Sequence, residues 1–400
     1  MGVPLFSEEF VAGWRAPTLP LLYKVLSSDG LRIAGQLAIS ITCWLALAAV
    51  LSSSLADRRM QVLGFVSVLV FSLSPEILLW DPDLLSESIS ISLTAALAAS
   101  WLLLLRDPTG FRVALMLAIA AAWTWARDPH PYLLLLLAAV VAASLLVGGR
   151  KRVRVVIVAG LVAISAAGIL SASVGYPRWQ YPLQNVIVLR ISADPEALEY
   201  FEDEGMPVTR RFVKLTRSYR ETDIDPFLYP VDPVEPLMGF QYWFQEEGRG
   251  PYARFLLTHP GFVDNAFGHL DNALLYPDVD GVDQYESEQG PWRFPLFTDL
   301  LYPRNPWLPL VYLGAVIGLA IAAFARAGPR LYWVVPAFLI GSSLPFAVFL
   351  YHGDAIEIDR HAFIASLFLR LGTLLLLLMA VDRLLTARAS ATERPEARSR

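Results

Sequence analysis

The sequence predicts an all-α integral membrane bundle of about nine transmembrane helices carrying a mostly helical extracytoplasmic domain. Three observations lead there. The 400 residues are 55% hydrophobic and 17% charged, too apolar for a chain that water alone must solvate. The apolar residues fall in long runs bounded by charges, Pro or Gly. The charges are also segregated: residues 175–306 hold 21 acidic and 11 basic side chains, a balance of -10 against -5 for the whole chain, which leaves the remainder at +5.

In chain order the apolar runs cover residues 33–56, 60–80, 84–105, 111–126, 131–148, 153–174, 307–325, 330–351 and 361–385, most of them close to the roughly 20 residues that a bilayer's hydrocarbon requires. The fourth and fifth are short and are separated by Arg127-Asp128-Pro129-His130-Pro131. Two prolines there forbid a continuous helix, so the pair is expected as two helices or as one broken, re-entrant element.

Orientation follows from the Lys and Arg of the short loops. Arg58 and Arg59, Arg106 and Arg112, Arg150 to Arg154, Arg326 and Arg330, and the tail from Arg383 fall in alternate loops and are assigned to the cytoplasm. The intervening loops carry Asp81 and Asp83, Asp128, the acidic 175–306 segment, and Asp354, Glu357 and Asp359. These are assigned to the outside, together with all five histidines, His130, His259, His269, His352 and His361. The expected location is a plasma (inner) membrane with the large loop extracytoplasmic. The domains are residues 1–174, an outer N-terminal segment and six helices; 175–306, the outer domain; 307–386, three helices; and 387–400, an Arg-rich cytoplasmic tail. The alternation also puts residues 1–32 outside with nothing ahead to carry them across, so either a further helix is expected before residue 1, the favoured reading, or this short tail is translocated unaided.

The outer segment reads as folded. Residues 260–275 place Phe262, Val263, Ala266, Phe267, Leu270, Ala273 and Leu274 on one helical stripe, the pattern of an amphipathic helix. Asp194-Pro195-Glu196 opens another, with Pro in the first turn and acids at the N-terminal end. The aromatic cluster Phe240 to Phe244 suits a headgroup boundary. The single cysteine, Cys43, lies in an apolar run and reads as a buried small hydrophobe. No repeat, nucleotide-binding Gly-rich loop or zinc spacing is present.

Carboxylates near the outer membrane face are the chemical signal, because charge beside hydrocarbon is expensive. They are Glu8 and Glu9; Glu76, Asp81, Asp83 and Glu87; and Asp354, Glu357 and Asp359, next to Arg360 and His361. Each has a plainer reading. Glu8 and Glu9 suit a solvated terminus, Asp81-Pro82-Asp83 an interhelical turn with an N-cap, and the last group a wet loop. Arg370, about nine residues into the last run, is either a site residue or a structural partner inside the bundle.

The order of these elements, namely Arg15-Ala-Pro-Thr-Leu-Pro-Leu-Leu, then Leu-Leu-Trp-Asp81-Pro-Asp83-Leu-Leu-Ser-Glu87-Ser, a long outer domain, and Glu357-Ile-Asp-Arg360-His361 before the final helix, resembles the GT-C superfamily of polyprenyl-phosphate-sugar-dependent glycosyltransferases. The resemblance implies a catalytic acid in the first outer loop, matched by Glu8 or Glu9, and a second acidic position matched by Asp81 or Asp83. Those two aspartates would also be the holders of a divalent metal, if one is used. Glu in place of the commoner Asp, and the absence of a preceding helix, are departures from the pattern. The chemistry itself needs a carboxylate to take the acceptor's proton and cations for the departing phosphate; Arg15, Lys24, Arg360 and His361 are the phosphate-binding candidates, with Glu87, Glu357 and Arg370 in support. The expected partners are membrane lipids, a polyprenyl-phosphate sugar as donor, and a cell-envelope glycan, lipid or protein as acceptor, with no nucleic acid. The competing readings are a transporter or lipid flippase and a non-catalytic envelope assembly protein.

Overall fold

The computed structural model describes residues 16–82, 84–143, 151–173, 178–222, 235–269, 274, 305, 307–327, 331–355 and 358–393, with side chains at all of these except 181, 218–222, 235–238, 327, 358–360 and 389–393. Every regular element among them is helical. Six helices are long and apolar enough to cross a membrane: α2 (Asp29–Ser54), α4 (Ser86–Arg106), α7 (Lys151–Ser173), α13 (Trp307–Ala327), α14 (Val334–Gly353) and α15 (Ile358–Glu393). Three more apolar helices, α3 (Arg58–Ser72), α5 (Gly110–Thr124) and α6 (His130–Ala143), run only 15, 15 and 14 residues. The sequence's count of nine spans thus exceeds what described helix length supports. In the second run the cause is local. Pro75 has no N–H to continue the ladder, so α3 stops at Ser72 and Pro75–Leu78 forms a separate turn with Pro in its first position.

α4 is the central helix, buried over 83% of its most apolar stretch, whereas α13 is buried over 17%. Its sequence explains why. Ser88, Ser90, Ser92, Thr94, Ala95, Ala98 and Ala99 are all buried, and small residues let backbones approach where lipid offers no hydrophobic drive to associate. α2 packs along α4, and α15 packs along α14 and α13. A short N-terminal helix, α1 (Thr18–Val25), is pinned to the end of α5 by the Thr18 amide donating to the Trp125 carbonyl at 3.0 Å and its hydroxyl to Ala122 at 2.9 Å.

A second unit, the cap, comprises α8 (Gln180–Leu189), α9 (Pro195–Asp203), α10 (Arg210–Thr222), α11 (Glu235–Glu246) and α12 (Arg249–Thr258). It has its own core of Val186, Ile187, Phe201, Phe212, Phe240 and Phe255. α9 begins as its sequence predicts: Asp194 caps it, accepting from the Glu196 and Ala197 amides at 3.0 and 3.2 Å. It ends at Gly205, whose φ of 87° is left-handed, so the chain reverses and the Met206 amide returns to the Phe201 carbonyl.

Two expectations for this unit are corrected. The helix expected over 260–275 runs only from Pro260 to Asp264 and tightens to a 3-10 turn over Asn265–His269; residues 270–273 and 275 lie outside the description. The aromatic cluster does not sit at a headgroup boundary, since Phe240, Trp243 and Phe244 are buried in the cap's own core and only Tyr242 stays exposed.

The cap is joined to the bundle mainly at the end of α14. Tyr252 donates to the His352 carbonyl at 2.6 Å, the Arg190 guanidinium to the Tyr351 carbonyl, and Asn185 to the Asp354 carboxylate at 3.1 Å. Burial there pushes the Tyr252 phenol up and the Arg190 guanidinium down from their ordinary values.

Candidate functional site

Where cap and bundle meet lies a cavity of about 580 Å³. The first turn of α4, the α5–α6 connection, the ends of α14 and α15, and cap residues of α8 and α12 enclose it. Each polar side chain is there for a local reason. Glu87 comes from the first turn of α4. Arg127 and Asp128 come from the break forced by Pro129 and Pro131. Arg178 precedes α8, Arg249 and Tyr252 open α12, and His352, Asp354 and His361 flank the turn between α14 and α15.

These groups form a connected polar chain. Arg127 Nη2 stands 3.5 Å from Glu87 Oε1, with both side chains buried. The same nitrogen donates to His361 Nδ1. A guanidinium has only donors, so Nδ1 must accept and the ring proton sits on Nε2, 3.8 Å from the Asp354 carboxylate. Asp354 in turn accepts from Asn185 of α8. Across the cavity Arg178 Nε bonds Asp128 at 2.9 Å, and the Arg249 guanidinium lies 5.7 Å from the Trp179 ring centre. His352 Nε2 donates to the Val263 carbonyl at 3.2 Å, which makes Nδ1 an acceptor with no partner among the described residues. Ala16, Leu19 and Leu183, all buried, and the more exposed Phe349 complete the lining with apolar surface. The cavity therefore offers carboxylates, three guanidiniums and apolar surface together.

Behind it the wall is polar but closed. His130 is fully buried. Its ring stacks on Trp123 at 4.0 Å, with Nε2 3.0 Å from the Ser90 hydroxyl and Nδ1 2.6 Å from the Trp123 carbonyl. One turn along α4, Thr94 accepts from the Trp123 indole at 3.0 Å. This ladder fixes the rotation of α4 and hence the direction of Glu87.

Of the residues singled out from sequence, the structure brings Glu87, Asp354 and His361 to the cavity. Asp81 is buried beside it without lining it; it accepts from the Ser88 hydroxyl at 2.7 Å, and its backbone carbonyl from Gln36 at 3.0 Å. Burial raises its carboxyl above the usual range, against hydrogen bonds from Ser88 and Ser40 that lower it. The helix that follows Asp81-Pro82-Asp83 has Leu85 as its N-cap, with no side-chain cap. Glu76 is also buried. Lys24 is exposed in the last turn of α1. Asp359, Arg360 and His361 belong to the first turn of α15 rather than to a loop. Arg370 lies away from the cavity, donating to the Leu274 carbonyl at 2.8 Å and to Ser366; it ties a buried residue that follows the cap into the bundle. Glu8, Glu9, Arg15, Asp83 and Glu357 lie outside the described residues, as does the side chain of Arg360. With Asp83 among them, the geometry of the expected metal pair is not described. Among the described residues, no three His, Cys, Asp or Glu side chains cluster as a metal site would require.

Arg127, Arg178, Arg249, Tyr252 and His352 were not candidates from sequence. A buried cation between two apolar helices was the available signal for Arg127; the cap residues gave none. Comparison with protein-family models, with curated proteins and with solved structures gives no match.

Proposed function

We propose that this chain is a membrane glycosyltransferase of the GT-C kind, moving a sugar from a polyprenyl-phosphate donor to an acceptor on the extracytoplasmic side. The observation that carries the reading is the cavity at the seam of bundle and cap, where a buried carboxylate, Glu87, lies among Arg127, Arg178 and Arg249. The distribution of Lys and Arg supports the orientation, which puts this seam at the outer membrane surface, where a lipid phosphate is found.

The step is an in-line displacement. Glu87 takes the proton of the acceptor hydroxyl as the oxygen attacks the anomeric carbon. The bond from that carbon to the phosphate oxygen breaks, and its electron pair leaves with the lipid phosphate. Guanidiniums bind phosphate through parallel N–H donors, so Arg127, Arg178 and Arg249 stabilise the charge as it develops. One carboxylate acting as base, without a covalent intermediate, gives inversion at the sugar. The apolar part of the lining receives the prenyl chain. The transporter reading has less support, since transporters place ionisable groups at the midplane in repeated halves, and the sequence carries no internal repeat.

The test is transfer from a polyprenyl-phosphate sugar by the full chain in nanodiscs. Glu87→Gln keeps shape but accepts no proton, and losing a positioned base costs on the order of a hundredfold to ten-thousandfold. Glu8→Gln and Glu9→Gln run in parallel. Loss of turnover on the latter pair with activity intact in Glu87→Gln would move the base to the N-terminal segment. Full activity in all three would leave the non-catalytic assembly reading.

A further inference from the structure

We infer that the opposite end of the bundle holds a second site, which takes an acyl chain and the phosphate of an anionic phospholipid. From Glu87 to Leu104 α4 runs about 25 Å at 1.5 Å per residue, and its last turns border a separate cavity of about 260 Å³. Trp101, Leu104, Met116, Val141 and Ile157 form its buried inner wall, while Leu331 is 54% exposed at the mouth. Among the described lining residues Arg154 is the ionisable one. Lys151 and Arg152 stand exposed beside it in the first turn of α7, which has no acid. The neighbouring Asp107 is held by Arg112 at 3.1 Å.

Protein interiors pack to crystal density, and an apolar void gains nothing from water. Between helices in a bilayer, the apolar group present in excess is an acyl chain. Its headgroup is chosen by charge: a basic pocket between membrane helices selects an anionic phosphate over a zwitterionic one. Arg154 in the lining, with the exposed Lys151 one turn before it on the same face of α7, is set to do so. The inference stands apart from glycosyl transfer, because it concerns another cavity and is read by binding alone.

The probe is Trp101 fluorescence in nanodiscs containing phosphatidylglycerol or phosphatidylcholine with brominated acyl chains, which quench on contact. Subtracting the Trp101→Phe signal isolates this indole from the other tryptophans. The expected result is quenching that saturates at a lower mole fraction of the anionic lipid. Arg154→Gln should erase roughly fivefold of that preference, the share of one basic residue near a lipid surface. Val141→Phe should fill the cavity and abolish quenching by both lipids while the fold is kept, as judged by circular dichroism. Equal half-saturation by the two lipids, an unchanged preference in Arg154→Gln, or quenching that survives Val141→Phe would each overturn the inference. So would the absence of quenching in the wild type, which would mean that a chain segment or a second copy fills the space.

Discussion

Two buried carboxylates at opposite ends of the bundle, Glu87 and Asp382, are almost equally hidden from solvent, each 1% exposed, yet their surroundings differ in kind. Asp382 in α15 accepts from the backbone amides of Ala56 and Asp57, both at 2.8 Å, and so fastens the α2–α3 turn to the last helix. Asp57 then caps α3 through the Arg59 and Met60 amides. Glu87 instead meets a guanidinium at 3.5 Å and opens on a cavity. Burial alone therefore does not identify a functional acid in a membrane protein. The two acids differ in what they face: fixed backbone amides at Asp382, and a side-chain cation beside open space at Glu87.

The largest effect is expected on breaking the site's ion pair. Arg127→Met leaves Glu87 buried without this cation, which typically costs about 3–5 kcal/mol, read as unfolding in detergent. The double variant Glu87→Gln with Arg127→Met should regain most of that loss while remaining inactive. If the single variant is as stable as the wild type, Glu87 has other support and the contrast with Asp382 fails. Next, Asp382→Ala should cost about 1–3 kcal/mol, from two amides left unsatisfied, with per-molecule transfer unchanged once folded. Altered donor or acceptor dependence there would assign the basic end a part in the chemistry.

A smaller effect tests the seam. Tyr252→Phe removes the bond to the His352 carbonyl and should cost about 1 kcal/mol, with faster amide exchange in α12 and at the end of α14. Unchanged exchange would mean that cap and bundle are joined elsewhere. Asp194→Ala should cost about 1 kcal/mol, confined to α9, because an N-cap acts within its own helix. The smallest effect is expected from Asp81→Asn. Its carboxyl is raised by burial, and the amide can still accept from Ser88, so stability and turnover should change little. A large loss of turnover would restore Asp81 as the second acid that the resemblance implies.

The helical fold was largely legible in the sequence because a membrane helix is written contiguously: each long apolar run contains a helix, although the second ends eight residues early and the last continues eight residues beyond its expected end. The failures have local causes. Pro75 cut the second run, and the amphipathic stripe after Pro260 did not persist as an α-helix beyond Asp264. The aromatics of 240–244 were misplaced because an aromatic cluster fits equally a headgroup boundary and a small water-facing core. The site was legible only in part. Glu87 and His361 stood out as charges at the ends of apolar runs, and Arg127 was visible only as part of a helix break.

The sequence by itself determined the material of the molecule. Apolar run length requires a bilayer for solvent, alternating Lys and Arg orients the predicted topology, and serines and alanines along 86–100 mark the helix that others crowd. Tertiary structure alone decided the site and its counterpart. Glu87, Arg127, Arg178, Arg249 and His361 come from five separate segments, and whether their charges meet depends on helix rotation and on how the cap seats on α14. Those are set by contacts such as Ser90 with His130 and Tyr252 with His352, between residues too far apart in the chain for any local pattern to encode.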